Sequence, residues 1–159
     1  MVEQICLNEA LIESAKEIFE TMIFMDIVET TEPNPDANNW SLLSSITFKG
    51  GLDGCLAICC GTPCAQAIAI NMLALDTPEE LTEEGTCDAI GEVANMIMGG
   101  VKSRILKSVG NIEVSIPSVV SGHELRNNLG DNAKKISIKV NIDDKYTAEL
   151  MLMYRENSI

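Results

Sequence analysis

The chain has 159 residues, of which 46% are apolar and 22% charged, the proportions of a globular protein rather than a disordered one. Eleven Lys and Arg against 24 Asp and Glu leave a net charge of −13, and only three Phe, two Tyr and one Trp are present. That field repels a phosphate backbone and those few rings give little to stack bases on, which excludes a nucleic-acid reader.

At this length a single domain is expected over residues 1–159, large enough to fold around its own core without disulfide or metal staples. The N-terminal MVEQICLNEALIESAKEIFE lacks the basic start and apolar run of an export signal. No stretch approaches the ~20 apolar residues of a membrane helix. A cytoplasmic location with reduced cysteines is therefore expected.

In chain order, residues 8–24 read as a helix, with Asn8 as cap and Leu11, Ala15, Ile18, Phe19 and Met22 along one side. Residues 29–39, polar and broken by Pro33 and Pro35, read as a surface loop. A hairpin follows, with Ile46 and Phe48 alternating on its first strand, Gly50-Gly51 at the turn and a second strand from Leu52 to Cys60. That second strand is apolar at nearly every position, as a strand buried on both faces would be. Thr62-Pro63 opens a short apolar helix ending near Leu75. Thr77-Pro78-Glu79-Glu80 has capping-box spacing. Thr82 caps a long helix from Glu83 to about Lys107, with a bend or break expected at Gly99-Gly100.

Beyond Gly110 the period changes to two. Ile112, Val114 and Ile116 alternate up to Pro117, and VVSG continues the pattern. Residues 126–132 read as a loop, and His123 before it as a surface residue. Residues 135–142 alternate strictly, Asp143-Asp144 turns the chain, and Tyr146 to Tyr154 closes a sheet. The order predicts an α+β fold, two long helices and a shorter one packed on a largely antiparallel sheet. Each half runs from a long helix into a strand hairpin, a hint of internal duplication.

Six cysteines stand at 6, 55, 59, 60, 64 and 87. The spacings Cys55-x3-Cys59 and Cys60-x3-Cys64 open a metal or thiol-sensor reading. No Cys-x2-Cys pair accompanies them and His123 is the lone histidine, so small buried thiols are preferred and no metal site is assigned.

The informative segment is CDAIGEVANMIMGGVKSRI, residues 87–105. On a helical wheel Ile90, Val93, Ala94, Ile97 and Val101 form the apolar stripe. Gly91, Asn95, Asp88, Gly99 and Glu92 fall on the other side, roughly 100–200° around from Ile90. A carboxylate and a carboxamide, Glu92 and Asn95, thus stand one turn apart on the polar face. A solvated helix face would account for polar residues alone. Mid-helix glycine, however, costs about 0.5–1 kcal/mol against alanine, so Gly91 and Gly99 read as places where another backbone comes close. Asn95, a mediocre helix former, has no cap or turn to serve.

Asp88-x3-Glu92-x2-Asn95, followed by Pro117 in VSIPSVVSG, resembles the signature of the CheC/CheX/FliY chemotaxis phosphatases, over nearly the whole chain and closest to the CheX branch. The first helix offers Glu13 with Lys16 and Glu17 with Glu20, so the acid–amide pair occurs once. The resemblance implies a CheC-like fold and a phosphatase that hydrolyses the aspartyl phosphate of a CheY-type receiver domain. Asn95 would orient the attacking water and Glu92 would pair with a receiver lysine. Asp88, Gly91, Gly99, Lys102 and Pro117 would line the partner face. The receiver would bring the Mg²⁺, leaving this chain without a bound cofactor, and a homodimer is implied. The alternative is a non-catalytic module docking a receiver or the flagellar switch through the same face.

Overall fold

The computed structural model describes residues 3–32, 40–122 and 132–157. Helix α1 spans Gln4–Ile18 and runs into a wider, π-type turn, Phe19–Ile23. It begins four residues before Asn8, because the buried Leu7 and Leu11 extend the packed face towards the N-terminus. Phe24 ends it in the left-handed region (φ 61°). Strand β1, Ile27–Glu29, then forms between the expected helix and the expected loop, in a stretch to which the sequence assigns no element, and reaches the loop only at Glu29. Pro33, Pro35 and His123, with most of the 126–132 loop, lie outside the described residues.

Strands β2 (Leu42–Gly50) and β3 (Leu52–Cys60) form the expected hairpin. Gly50 takes φ 152°, and a Cβ on Gly51 would lie 2.0 Å from the Val109 carbonyl oxygen, so only glycine fits under that helix end. Helix α2 is Thr62–Leu73, with proline in its first turn. A single 3₁₀ turn, Pro78–Glu80, follows, and the Glu80 carboxylate accepts from the Asp76 N–H at 3.1 Å. Helix α3, Glu83–Val109, opens on the Thr82 hydroxyl, which accepts from the Gly85 N–H at 2.9 Å. It runs unbroken for 27 residues through Gly99-Gly100, so the expected break does not occur.

The remaining strands are β4 (Ile112–Val114), β5 (Ser118–Ser121), β6 (Lys134–Ile142) and β7 (Tyr146–Glu156). Asp143 and Asp144, both at φ 53°, are the central residues of a turn that the Lys145 N–H closes on the Ile142 carbonyl at 3.1 Å, and with Ile142 facing Tyr146, three residues join β6 to β7. Asp143 also accepts from the Asp26 N–H at 2.7 Å and so ties that turn to the entry of β1.

The sheet order is β1-β6-β7-β3-β2-β4, with β5 also on β2, and every described pairing is antiparallel. The fold is α+β, three helices on a seven-stranded sheet. Exchanging β1 with β4, β2 with β6 and β3 with β7 reverses this order onto itself. With β5 left aside, this topology matches the hint of duplication, the leading strand of each half pairing with the hairpin of the other.

Strand alternation sends Ile46, Phe48, Leu56, Ile58, Ile138 and Leu150 to one face, where they meet Leu11 and Ala15 of α1 and Ile90, Ala94 and Ile97 of α3. Each Leu, Ile or Phe among them contributes roughly 1.5–3 kcal/mol on burial. On the opposite face Trp40 packs with Leu43, Ala57, Cys59 and Met151, and its indole N–H donates to Glu149 at 3.2 Å.

Candidate functional site

Three glycines of α3 have three different surroundings. At Gly100 an added Cβ would fall 2.9 Å from both Cβ and Oγ of Ser14, so this is where α1 crosses closely. Arg104 clamps that crossing, donating to Ser14 Oγ at 3.2 Å and the Gly100 carbonyl at 3.3 Å, and pairing with Glu17 at 2.8 Å. At Gly91 a Cβ would meet Val119 at 3.4 Å and the Pro117 ring at 3.6 Å. Gly91 is therefore buried beneath side chains of the β4–β5 edge, not displayed on the polar face as the wheel implies. At Gly99 no described atom lies within 4 Å of an added Cβ.

Gly91 and Gly100 lie on roughly opposite flanks of α3 at 100° per residue. The sheet is below, α1 on one flank and Pro117 on the other, and a strip of helix remains uncovered between them. Asp88, Glu92, Asn95 and Gly99 are all exposed on that strip, and Lys102 is half-buried at its margin. Among the described residues, neither Glu92 nor Asn95 makes a hydrogen bond or ion pair. The acid and the amide are thus unengaged within the chain, on a helix fixed along both flanks.

The edge beside them is shaped by Ser115. Its N–H donates to the Thr47 carbonyl at 2.9 Å, and its hydroxyl accepts from the Thr47 N–H at 3.0 Å, standing in for a ladder bond to β2 in the gap where β4 gives way to β5. The chain buckles there. Ile116 is pushed out until 88% of it is exposed, while Pro117 turns in against Gly91. Sequence alternation gives no sign of this bulge, because the side chain that makes it substitutes for backbone.

A cavity of about 330 Å³ lies nearer the start of α3, lined by Leu42, Gln66, Leu81, Thr82 and Cys87 among others. Neither Glu92 nor Asn95 borders it.

The cysteines do not converge. Cys60 and Cys64 belong to the core under the helices, whereas Cys59 packs with Trp40 on the other face of the sheet. Cys55 shares the face of Cys59 by strand alternation. The four-cysteine metal reading is overturned by that split, and no group of three or more metal-ligating side chains occurs among the described residues. Burial, aided by the negative charge of Glu149, pushes the Cys59 thiol up to about 12 from 9.0. A hydrogen bond with Cys64, together with burial, also raises Cys60 well above its ordinary value. Between about pH 9 and pH 12 the folded state then holds protons that the unfolded state releases, so stability falls as pH rises through that window. The expected result is a declining denaturant midpoint from pH 9 upward. At neutral pH a thiol reagent should titrate only Cys6 and Cys87, the exposed and half-buried thiols. A native titre above two would contradict this.

A family model described as "Chemotaxis phosphatase CheX" matches residues 42–141, which include the whole of α3 and the Pro117 edge. The chain belongs to the CheX family. A comparison with curated proteins finds no match. Among solved structures, a CheX from Desulfovibrio desulfuricans superposes with a TM-score of 0.80 at 18% identity, over 94% of this chain and 99% of that one. A CheX from Vibrio vulnificus gives 0.79 at 21% identity, over 94% and 96%. The CheX of a CheX–CheY–BeF3–Mg complex from Borrelia burgdorferi gives 0.73 at 14% identity, over 98% and 100%. At these identities the likeness establishes the CheX fold, and the role of each site residue rests on the strip itself.

Proposed function

We propose that this chain is a phosphatase for the aspartyl phosphate of a CheY-type response-regulator receiver, and that Glu92 and Asn95 are its working side chains. The observation that carries the reading is the uncommitted acid–amide pair on a strip of α3 that no described residue covers. Membership of a family described as chemotaxis phosphatases, and a structural relative described in complex with CheY, support it.

A carboxamide both donates and accepts, so Asn95 holds a water through Oδ1 and a phosphoryl oxygen through Nδ2 without becoming a base. Water oxygen bonds to phosphorus as the bond from phosphorus to the receiver's aspartyl oxygen breaks, releasing inorganic phosphate and a free carboxylate. Such hydrolysis depends mainly on positioning and charge stabilisation. The receiver contributes the Mg²⁺ and a lysine; Glu92 pairs with that lysine and fixes the register. Gly91 and Pro117 set the level of the strip, and Asp88 and Lys102 flank it as partner contacts. No step needs a cofactor bound to this chain. The reading includes a cytoplasmic site of action, as a receiver-domain partner requires. No described helix is long and apolar enough to cross a membrane.

The test is phosphate release from receivers of the same cell, each phosphorylated with acetyl phosphate, with and without this protein. Accelerated release from at least one is expected. Binding without acceleration would leave a non-catalytic docking module instead.

The same reading includes a homodimer whose sheet continues across subunits. The C-terminal strands β6 and β7 are interior, so the pairing edge must be β1 or the β4–β5 side. Light scattering at micromolar concentration should return twice the chain mass, and a monomeric mass would refute the assembly.

A further inference from the structure

We infer that Gly99 is kept bare so that a partner can close on the Asn95 carboxamide. This rests on the receiver-phosphatase reading and assigns Gly99 a positioning role within it. Glycine inside a helix needs a reason, since alanine is the better helix former at every ordinary interior position. For Gly100 that reason is Ser14, and for Gly91 it is Pro117 and Val119, all from this chain. At Gly99 the fold supplies none. The position is exposed, and a Cβ there would touch no described atom within 4 Å. The helix runs through this point without a break, so the glycine does not end or interrupt it.

Direction supplies the missing reason. Side chains on an α-helix lean towards its N-terminus, so residue i+4 covers the surface over residue i. Any side chain at 99 would therefore lean over the turn that carries Asn95. A methyl group would narrow the approach, and a longer aliphatic chain would lie across the carboxamide. The receiver's phosphorylated carboxylate sits on its backbone scaffold, not at the end of a long flexible arm. A water bridging it to Asn95 requires the two surfaces to meet closely. Gly99 provides that clearance, one turn from the amide, at the expense of local helix stability.

The consequence is a substitution that improves the fold and impairs the function. Gly99→Ala should raise Tm by about 2–4 °C, the shift expected for a helix-interior gain in a chain of this size. Single-turnover dephosphorylation of the receiver phosphorylated with acetyl phosphate should fall about tenfold. Gly99→Leu should lower it about a hundredfold, the scale of an ångström-sized misplacement at a reacting centre. Affinity for the phosphorylated receiver should weaken in the same order, Gly, Ala, Leu.

Unchanged rate and affinity in Gly99→Ala would overturn the inference, and so would a lowered Tm, because the fold itself would then be using the glycine. If Gly99→Leu fails to fold, the alanine variant decides alone. Asn95→Ala run alongside separates the two levels. If Asn95→Ala is inactive and both Gly99 variants are fully active, only the role of Gly99 fails. If Asn95→Ala keeps full turnover, the phosphatase reading fails first.

Discussion

Asn95→Ala is expected to abolish stimulated dephosphorylation while leaving affinity for the phosphorylated receiver within about twofold. A hundredfold loss in single-turnover rate corresponds to about 2.7 kcal/mol of transition-state stabilisation, a fitting size for one orienting contact. The side chain is exposed and unengaged, and alanine is a better helix former than asparagine, so no loss of fold accompanies the change. Thermal melting and receiver binding, measured on the same preparation, check both points. A variant that retained turnover would remove the water-orienting role.

Glu92→Lys is expected to act on binding and rate together. It replaces a carboxylate facing a receiver lysine with a second ammonium, so an attraction becomes a repulsion in a closing interface. Losing one side of such a charge pair typically costs about 2–5 kcal/mol, which corresponds to an affinity drop of about thirtyfold or more. Because register depends on the same contact, the rate at saturating protein should also fall. The effect on Kd should shrink with added salt as the repulsion is screened. An unchanged Kd would place the docking contact elsewhere on the strip. The contrast between the two variants, one acting on rate alone and one on both quantities, is what separates the proposed roles.

Much of this architecture is written locally. The Gly50-Gly51 hairpin, proline at the start of α2, the Thr82 cap and the strict alternation of β6 each depend on neighbours within a few residues. Glu92 and Asn95 are legible for the same reason, since helical period alone puts them on one exposed face. What the sequence hides is non-local. Strand β1 is three residues long and exists because Ile27 finds Ile142 across the sheet. Gly91 falls on the polar side of the wheel, yet Pro117 and Val119 arrive from far downstream to cover it. The unbroken passage through Gly99-Gly100 has the same origin. Glycine permits a break, and at Gly100 the Ser14 contact and the Arg104 clamp hold the unbroken helix against α1 instead.

The self-reversing strand order has a bearing on valency. A fold assembled from two like halves offers two helices from which a docking face can be made. Here the strip on α3 is open, whereas α1 commits Glu17 to an exposed ion pair with Arg104 and uses Ser14 for the helix crossing. Helix α1 has become the brace for α3. On the proposed function, each chain is then univalent: it engages one receiver at a time and cannot bridge two. Any cooperativity in clearing a phosphorylated pool would have to come from pairing whole chains, not from within one.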